Sequence, residues 1–175
     1  MVYHFVILSD EVDNFRREID IDAEATFLDL HNIILKTCKY KSDEMASFYT
    51  CAPDWSKMDE ITLFDMNEDP TREDSLVMDK CHLDDYLKSE KSKLMYCFDM
   101  MCDRYLYIQL KSIETKAHKL KPEVTLSKGD APKQVGEVED IFAEGPDLYG
   151  DENYDPDELD LDGYQDLDEM ESGGY

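Results

Sequence analysis

The clearest helix in this chain is "ATFLDLHNIILKTC", and the long apolar stretches on either side of it read as strands. One amphipathic helix cannot bury its own stripe, and a sheet with one greasy face has the same problem. The economical solution is a helix laid across one face of a mixed or mainly antiparallel sheet, an α+β domain. The helix announces its own start. Thr26 can cap the N-terminus, and Asp29 three residues on makes a carboxylate variant of the capping box. Phe27, Leu30, Ile34 and Cys38 then fall on one side, with Leu28 and Ile33 widening the stripe. His31 sits beside that stripe. A lone helical histidine is usually a packed or edge residue, because a ligand site needs a second converging group.

"YHFVILS" is a short apolar run of buried-strand type, and "DEVDN" after it supplies turn residues. "FRREIDI" alternates and should form a hairpin with the first strand. "MASFYTC" reads as a third strand, broken by "APDW", whose Trp55 suits a core or rim anchor. "ITLFDM" suits a further short strand and "HLDDYL" a brief helix, with Asp84 and Asp85 as favourable first-turn acids. "KLMYCFDM" and "RYLYIQLKSIE" should close the body as an antiparallel hairpin, with Tyr105, Tyr107 and Gln109 on one face and Leu106, Ile108 and Leu110 on the other. The opening order of strand, strand, helix and strand is like that of a ubiquitin-like grasp, an analogy that carries no function. The expected organisation is a body over 1–121, a Pro- and Gly-containing linker or peripheral segment over 122–138 with an extended "EVTL", and an acidic low-complexity tail over 139–175.

The tail is where composition matters. The chain carries 43 acidic and 18 basic residues, a net charge of −25. Fifteen of the acids and none of the bases lie from Glu139 onward. Such a surface repels phosphate backbones, so direct nucleic-acid binding is not expected, and a basic protein is the fitting partner. "YGDENYDPDELDLDGYQDLDEM" is not a calcium loop in any register. Starting at Asp151 puts Pro156 where glycine is required. Starting at Asp155 or Asp160 puts Leu159 or Tyr164 at a ligand position. Two readings stay open. Acidic runs usually serve as solvated, disordered tails. A purely solvating tail, however, has no need of Leu148, Leu159, Leu161 and Leu167. In the binding reading, Tyr149, Tyr154, Asp155, Asp157, Leu159, Asp160, Leu161, Asp162 and Tyr164 form the contact segment, occupying a basic groove as a nucleic-acid mimic would.

Catalytic signatures are sparse. No Gly-x-Ser-x-Gly elbow occurs. Glycine first appears at Gly129, so no glycine loop cradles phosphate in the body. Cys38, Cys51, Cys81, Cys97 and Cys102 are scattered and read as reduced thiols, without zinc-ribbon spacing and without a disulfide framework. No catalytic, cofactor-binding or metal-binding residue and no cofactor is assigned. Asp99 and Asp103 flank the reversal between the last two strands. They suit a turn, although an acid–base pair or a cation site is the alternative. The start lacks a basic segment followed by a cleavage site, and no apolar run reaches the roughly 18 residues of a membrane span, which makes the cytoplasm the expected compartment.

"TFLDLHNIILKTCKYKSDEMASFY" resembles the plasmid pRiA4b open-reading-frame-three-like (ORF-3-like) family. That family shows Leu-His on its first helix, then Gly-Trp, His-Leu and a Phe at the next strand. Here Leu30-His31, Lys39-Tyr40, Glu44-Met45 and Phe48 hold those places. "YCFDMMCDRYLYIQLKSIE" is similar to the family's Tyr-Asp-Phe-Gly-Asp turn with its following Trp and Ile-Glu. Phe98-Asp99-Met100 takes the first half, Tyr105 the Trp, and Ile113-Glu114 the end. "GDAPKQ" and an acidic tail also resemble family variants. The resemblance spans about residues 2–134 and implies a bacterial α+β domain, sometimes carried by mobile elements, without an established activity. Met101 and Cys102 would disable any site built on the family's polar turn. The expected role is a non-enzymatic interaction or accessory protein that docks basic partners through its acidic surface and tail. The alternatives are a hydrolase-like enzyme with an atypical carboxylate or cysteine site, and a mobile-element passenger without its own chemistry.

Overall fold

The computed structural model describes residues 1–66 and 75–136. Their elements run β1 (Val2–Ser9), β2 (Arg16–Asp22), α1 (Phe27–Cys38), β3 (Ser47–Cys51), β4 (Lys57–Thr62), α2 (Leu83–Tyr86), β5 (Lys93–Asp99), β6 (Arg104–Glu114) and β7 (Glu123–Lys128). The strands form one sheet in the order β4-β3-β5-β6-β1-β2-β7, and every neighbouring pair is antiparallel. The strand, strand, helix, strand opening is present, with β5 and β6 lying between β1 and β3.

Cross-strand register explains which residues are buried. Residues directly opposite one another share a face. One row runs Ile61–Phe48–Tyr96–Leu106 across four strands, and a second runs Thr50–Leu94–Ile108–Ile7–Arg17 across five. A third joins Leu110, Phe5, Ile19 and Val124. All but the half-buried Val124 are buried, and this is the face that α1 covers. Phe27 meets Phe48 edge-on at 5.4 Å, and the Tyr96 hydroxyl lies 2.9 Å from His31 Nδ1. Burying each such apolar side chain stabilises the fold by about 1.5–3 kcal/mol before entropy is counted.

Local chemistry fixes the helix ends. Thr26 and Asp29 form the reciprocal capping box, with the Asp29 amide donating to Thr26 Oγ1 and the Thr26 amide to Asp29 Oδ2. The next free amides, Phe27 and Leu28, donate to the carbonyls of Cys81 and Met78. The helix N-terminus is therefore satisfied by protein. At the other end Lys39 turns left-handed at φ +58°, and the Tyr40 amide closes on the Leu35 carbonyl. His31 and Leu35 join the buried stripe, with Leu28 and Ile33 half-buried at its margins.

Two elements differ from the sequence reading. The fourth strand is "KMDEIT", beginning four residues before "ITLFDM" and ending at Thr62. Lys57 to Glu60 are all exposed on the sheet edge, so no apolar alternation marks them. The extended "EVTL" grows into β7, the opposite edge, docked on β2. That docking depends on Arg17, a buried cation on the covered face that has no carboxylate partner among the described residues. Its guanidinium donates to the carbonyls of Arg16, Lys128 and Gly129 and stacks on Phe15 at 4.6 Å. Gly129 sits at φ +70°, where a Cβ would come within 2.4 Å of the Asn14 carbonyl oxygen, so only glycine allows the approach. Among the described residues no helix is long and apolar enough to cross a membrane.

Candidate functional site

The nine residues of the predicted contact segment, Tyr149 to Tyr164, lie outside the described residues. Asp99 and Asp103 lie inside them, and the structure gives them separate partners. Asp99 accepts from the amides of Cys102 (3.2 Å) and Gly136 (3.1 Å) and from Arg104 Nη1 (3.3 Å). Burial disfavours its charge, yet these donors win and hold the carboxyl below the usual range. Arg104 also holds Glu11 through Nε and Nη2. Asp103 stands at φ +54° and accepts from the Tyr105 hydroxyl at 2.8 Å. The first carboxylate thus clamps the β5–β6 reversal, and the second serves a tyrosine.

Four of the five thiols are held in the protonated form. Burial pushes Cys38 up to about 12 and Cys97 up to about 11, and it raises Cys51 and Cys102 as well. The histidines have other company: His4 bonds Asp20, His31 bonds Tyr96, and His82 bonds the Glu24 carbonyl. Burial lowers His31 to about 4, so it is a neutral packed residue. Among the described residues no group of three His, Cys, Asp or Glu side chains converges on a metal position.

The distinctive chemistry lies on the other face of the sheet, against which no described helix packs. Its rows come from the alternate positions of the same strands. Glu60, Tyr49, Met95, Tyr107 and Leu8 stand side by side across β4, β3, β5, β6 and β1. Next to them run Lys57, Cys51, Lys93 and Gln109, and on the far side Cys97 and Tyr105. Met95 and Cys97 are buried beneath the larger side chains, while Tyr49, Tyr105 and Tyr107 are half-exposed. The β3–β4 turn adds Trp55, held at φ +70° with its amide donating to the Ala52 carbonyl. A bulky residue in the left-handed region is a conformational outlier, costing about 1–2 kcal/mol. In that conformation the indole meets Tyr107 edge-on at 5.2 Å.

Two lysines occupy these rings. Lys57 Nζ lies 4.4 Å from the Tyr49 ring centre and 4.2 Å from that of Tyr105, and it donates to the Tyr105 hydroxyl at 2.6 Å. Lys93 Nζ lies 4.5 Å above the Trp55 ring and also donates to the Pro53 carbonyl. Among the described residues neither lysine forms an ion pair with a carboxylate. Carboxylates instead accept hydrogen bonds from the tyrosine hydroxyls: Tyr49 donates to Glu60 (2.8 Å), Tyr105 to Asp103 (2.8 Å) and Tyr107 to Asp10 (3.4 Å). Burial and then these acids raise all three hydroxyls above their ordinary value, so they stay protonated. The result is a surface of ring faces with anions at their edges, which attracts cations.

Sequence reasoning saw part of this face. The alternation of Tyr105 and Tyr107 against Leu106, Ile108 and Leu110 sorted β6 correctly, and Trp55 is a rim residue. The meeting of Lys57 with Tyr49 and Tyr105 was invisible, because it depends on the register of β4 on β3 and of β5 on β6.

Residues 2–161 match the family described as plasmid pRiA4b ORF-3-like protein. The chain belongs to this family. The match runs beyond the 2–134 spanned by the quoted motifs and enters the acidic segment. A crystal structure of a protein of unknown function from Methanosarcina mazei Go1 is similar to this family member, with 20% identity, a TM-score of 0.54, and coverage of 72% of this chain and 68% of that one. That likeness shows the fold. No curated protein matches the chain.

Proposed function

We propose that this pRiA4b ORF-3-like protein is a non-catalytic interaction module that docks a basic protein. The observation that carries the reading is the open sheet face, where two ammonium groups rest on tyrosine and tryptophan rings and, among the described residues, pair with no carboxylate. The charge of −25 supports the same reading at longer range, since it speeds the encounter with a basic surface and repels nucleic acid. Asp155, Asp157, Asp160 and Asp162 are the acids of the contact segment that would add to this attraction. An oligolysine peptide titrated into the full chain at two salt concentrations tests the proposal. Binding that weakens with salt is expected, and a full-length variant with those four residues changed to Asn should bind less tightly and with a shallower salt dependence. No binding at low salt would end the reading, and equal binding by both chains would remove the segment from it.

A further inference from the structure

The cleft between the Tyr49 and Tyr105 rings has the makings of a side-chain subsite. Both rings face the same ammonium group, their centres lie 6.2 Å apart, and they are inclined at 72°. Glu60 and Asp103 bond the two hydroxyls, which places negative charge at both outer edges of the cleft. A cation recognised this way needs little desolvation of a carboxylate and gains from two ring faces at once. Lys57 shows that the cleft accepts an ammonium group. It comes from the edge strand β4, at a residue that is exposed, so its side chain can swing into solvent without disturbing the covered core.

We infer that the Tyr49–Tyr105 cleft receives a lysine or arginine side chain of a basic polypeptide, with Lys57 as an internal occupant that must leave first. This rests on the reading of the protein as a dock for basic partners, and it names the place and the chemistry. The exchange costs little electrostatically, because one cation replaces another on the same rings. It adds specificity, because an acid-rich surface attracts any cation, whereas two ring faces inclined at 72° favour one that can touch both at once. The Lys93–Trp55 pair, reached from the same face, offers a second ring for a neighbouring basic residue of the partner.

Trp55 is the chain's only tryptophan, so its emission reports on this face. The test titrates oligolysine into full-length chains at constant low salt and follows that emission, with calorimetry for the affinity. Lys57→Met removes the internal ammonium from the rings. Lys36→Met, on an exposed position of α1, removes the same charge elsewhere. Lys57→Met should bind about two- to fivefold more tightly than Lys36→Met, the range expected when one exposed cation–π competitor is lost. In the Lys57→Met background, Tyr105→Phe should keep that gain and Tyr105→Leu should lose it, with far-UV circular dichroism unchanged. Equal affinities for Lys57→Met and Lys36→Met, with oligolysine still binding, would overturn the cleft and leave the wider docking reading standing. Absence of oligolysine binding to the unaltered chain would overturn both.

Discussion

The two faces of the sheet are built from the same strands and differ in what each strand's alternate residues meet. On the covered face Ile61, Phe48, Tyr96 and Leu106 make a dry row under α1, and burial there defines the fold. On the open face Glu60, Tyr49, Met95 and Tyr107 make a row with a polar tip on most side chains. Tyrosine serves both. Tyr96 is sealed in and spends its hydroxyl on His31, whereas Tyr49 and Tyr105 keep ring faces that a cation can reach. The lesson is that neighbouring side chains and solvent access set the role of a residue type on a sheet. A slip of one residue in register would exchange the two sets, so the apolar row that fixes the fold also fixes the geometry of the cation-binding row.

The contrast is broken most easily from the covered side. Phe48→Ala removes the ring that touches both Phe27 and Tyr96, and it should cost about 3–5 kcal/mol by urea denaturation. A cost under about 1 kcal/mol would mean that the covered face does not hold the fold together. The next largest effect is acid sensitivity. His31 has a folded pKa of about 4 against an ordinary value of 6.5, so the folded state resists a proton that the unfolded state accepts. Its contribution is full above pH 6.5 and fades as the pH falls toward 4. A stability loss of order 2 kcal/mol across that window is expected. His31→Gln should flatten the slope, and an unchanged slope in that variant would assign it to other groups. The smallest effect belongs to the open face. Tyr105→Leu should cost no more than about 1–2 kcal/mol, since what it removes is exposed: one cation–π contact, the ring contact with Tyr49 and two hydrogen bonds. A loss comparable to that of Phe48→Ala would erase the distinction between the faces.

Much of the covered face was legible in the sequence, because burial writes itself as periodicity. The stripe Phe27, Leu30, Ile34, Cys38 and the alternation of Leu106, Ile108, Leu110 are local patterns, and α1 and β6 followed from them. The capping box was equally local, a matter of Thr26 and Asp29. The open face was legible only strand by strand. Lys57 and Tyr105 are 48 positions apart and meet through three successive pairings, each with its own register and two of them with bulges. The first residues of β4 were hidden for a related reason: Lys57, Met58, Asp59 and Glu60 are exposed, so they leave no apolar trace. Asp99 and Asp103 looked like a pair because they are close in sequence. The left-handed turn at Asp103 gives each its own set of partners.

Those same inconspicuous residues have a consequence for assembly. A sheet of seven strands ends in two edges, β4 and β7, and a bare edge invites another chain to add to it. Here one edge carries Lys57, Asp59 and Glu60, and the other Glu123 and Lys128, all exposed. An incoming strand would have to bury those charges to pair. Crowded copies of this protein should therefore stay apart instead of growing into fibres, and the edge polarity that conceals β4 from a reader of the sequence conceals it from other chains as well.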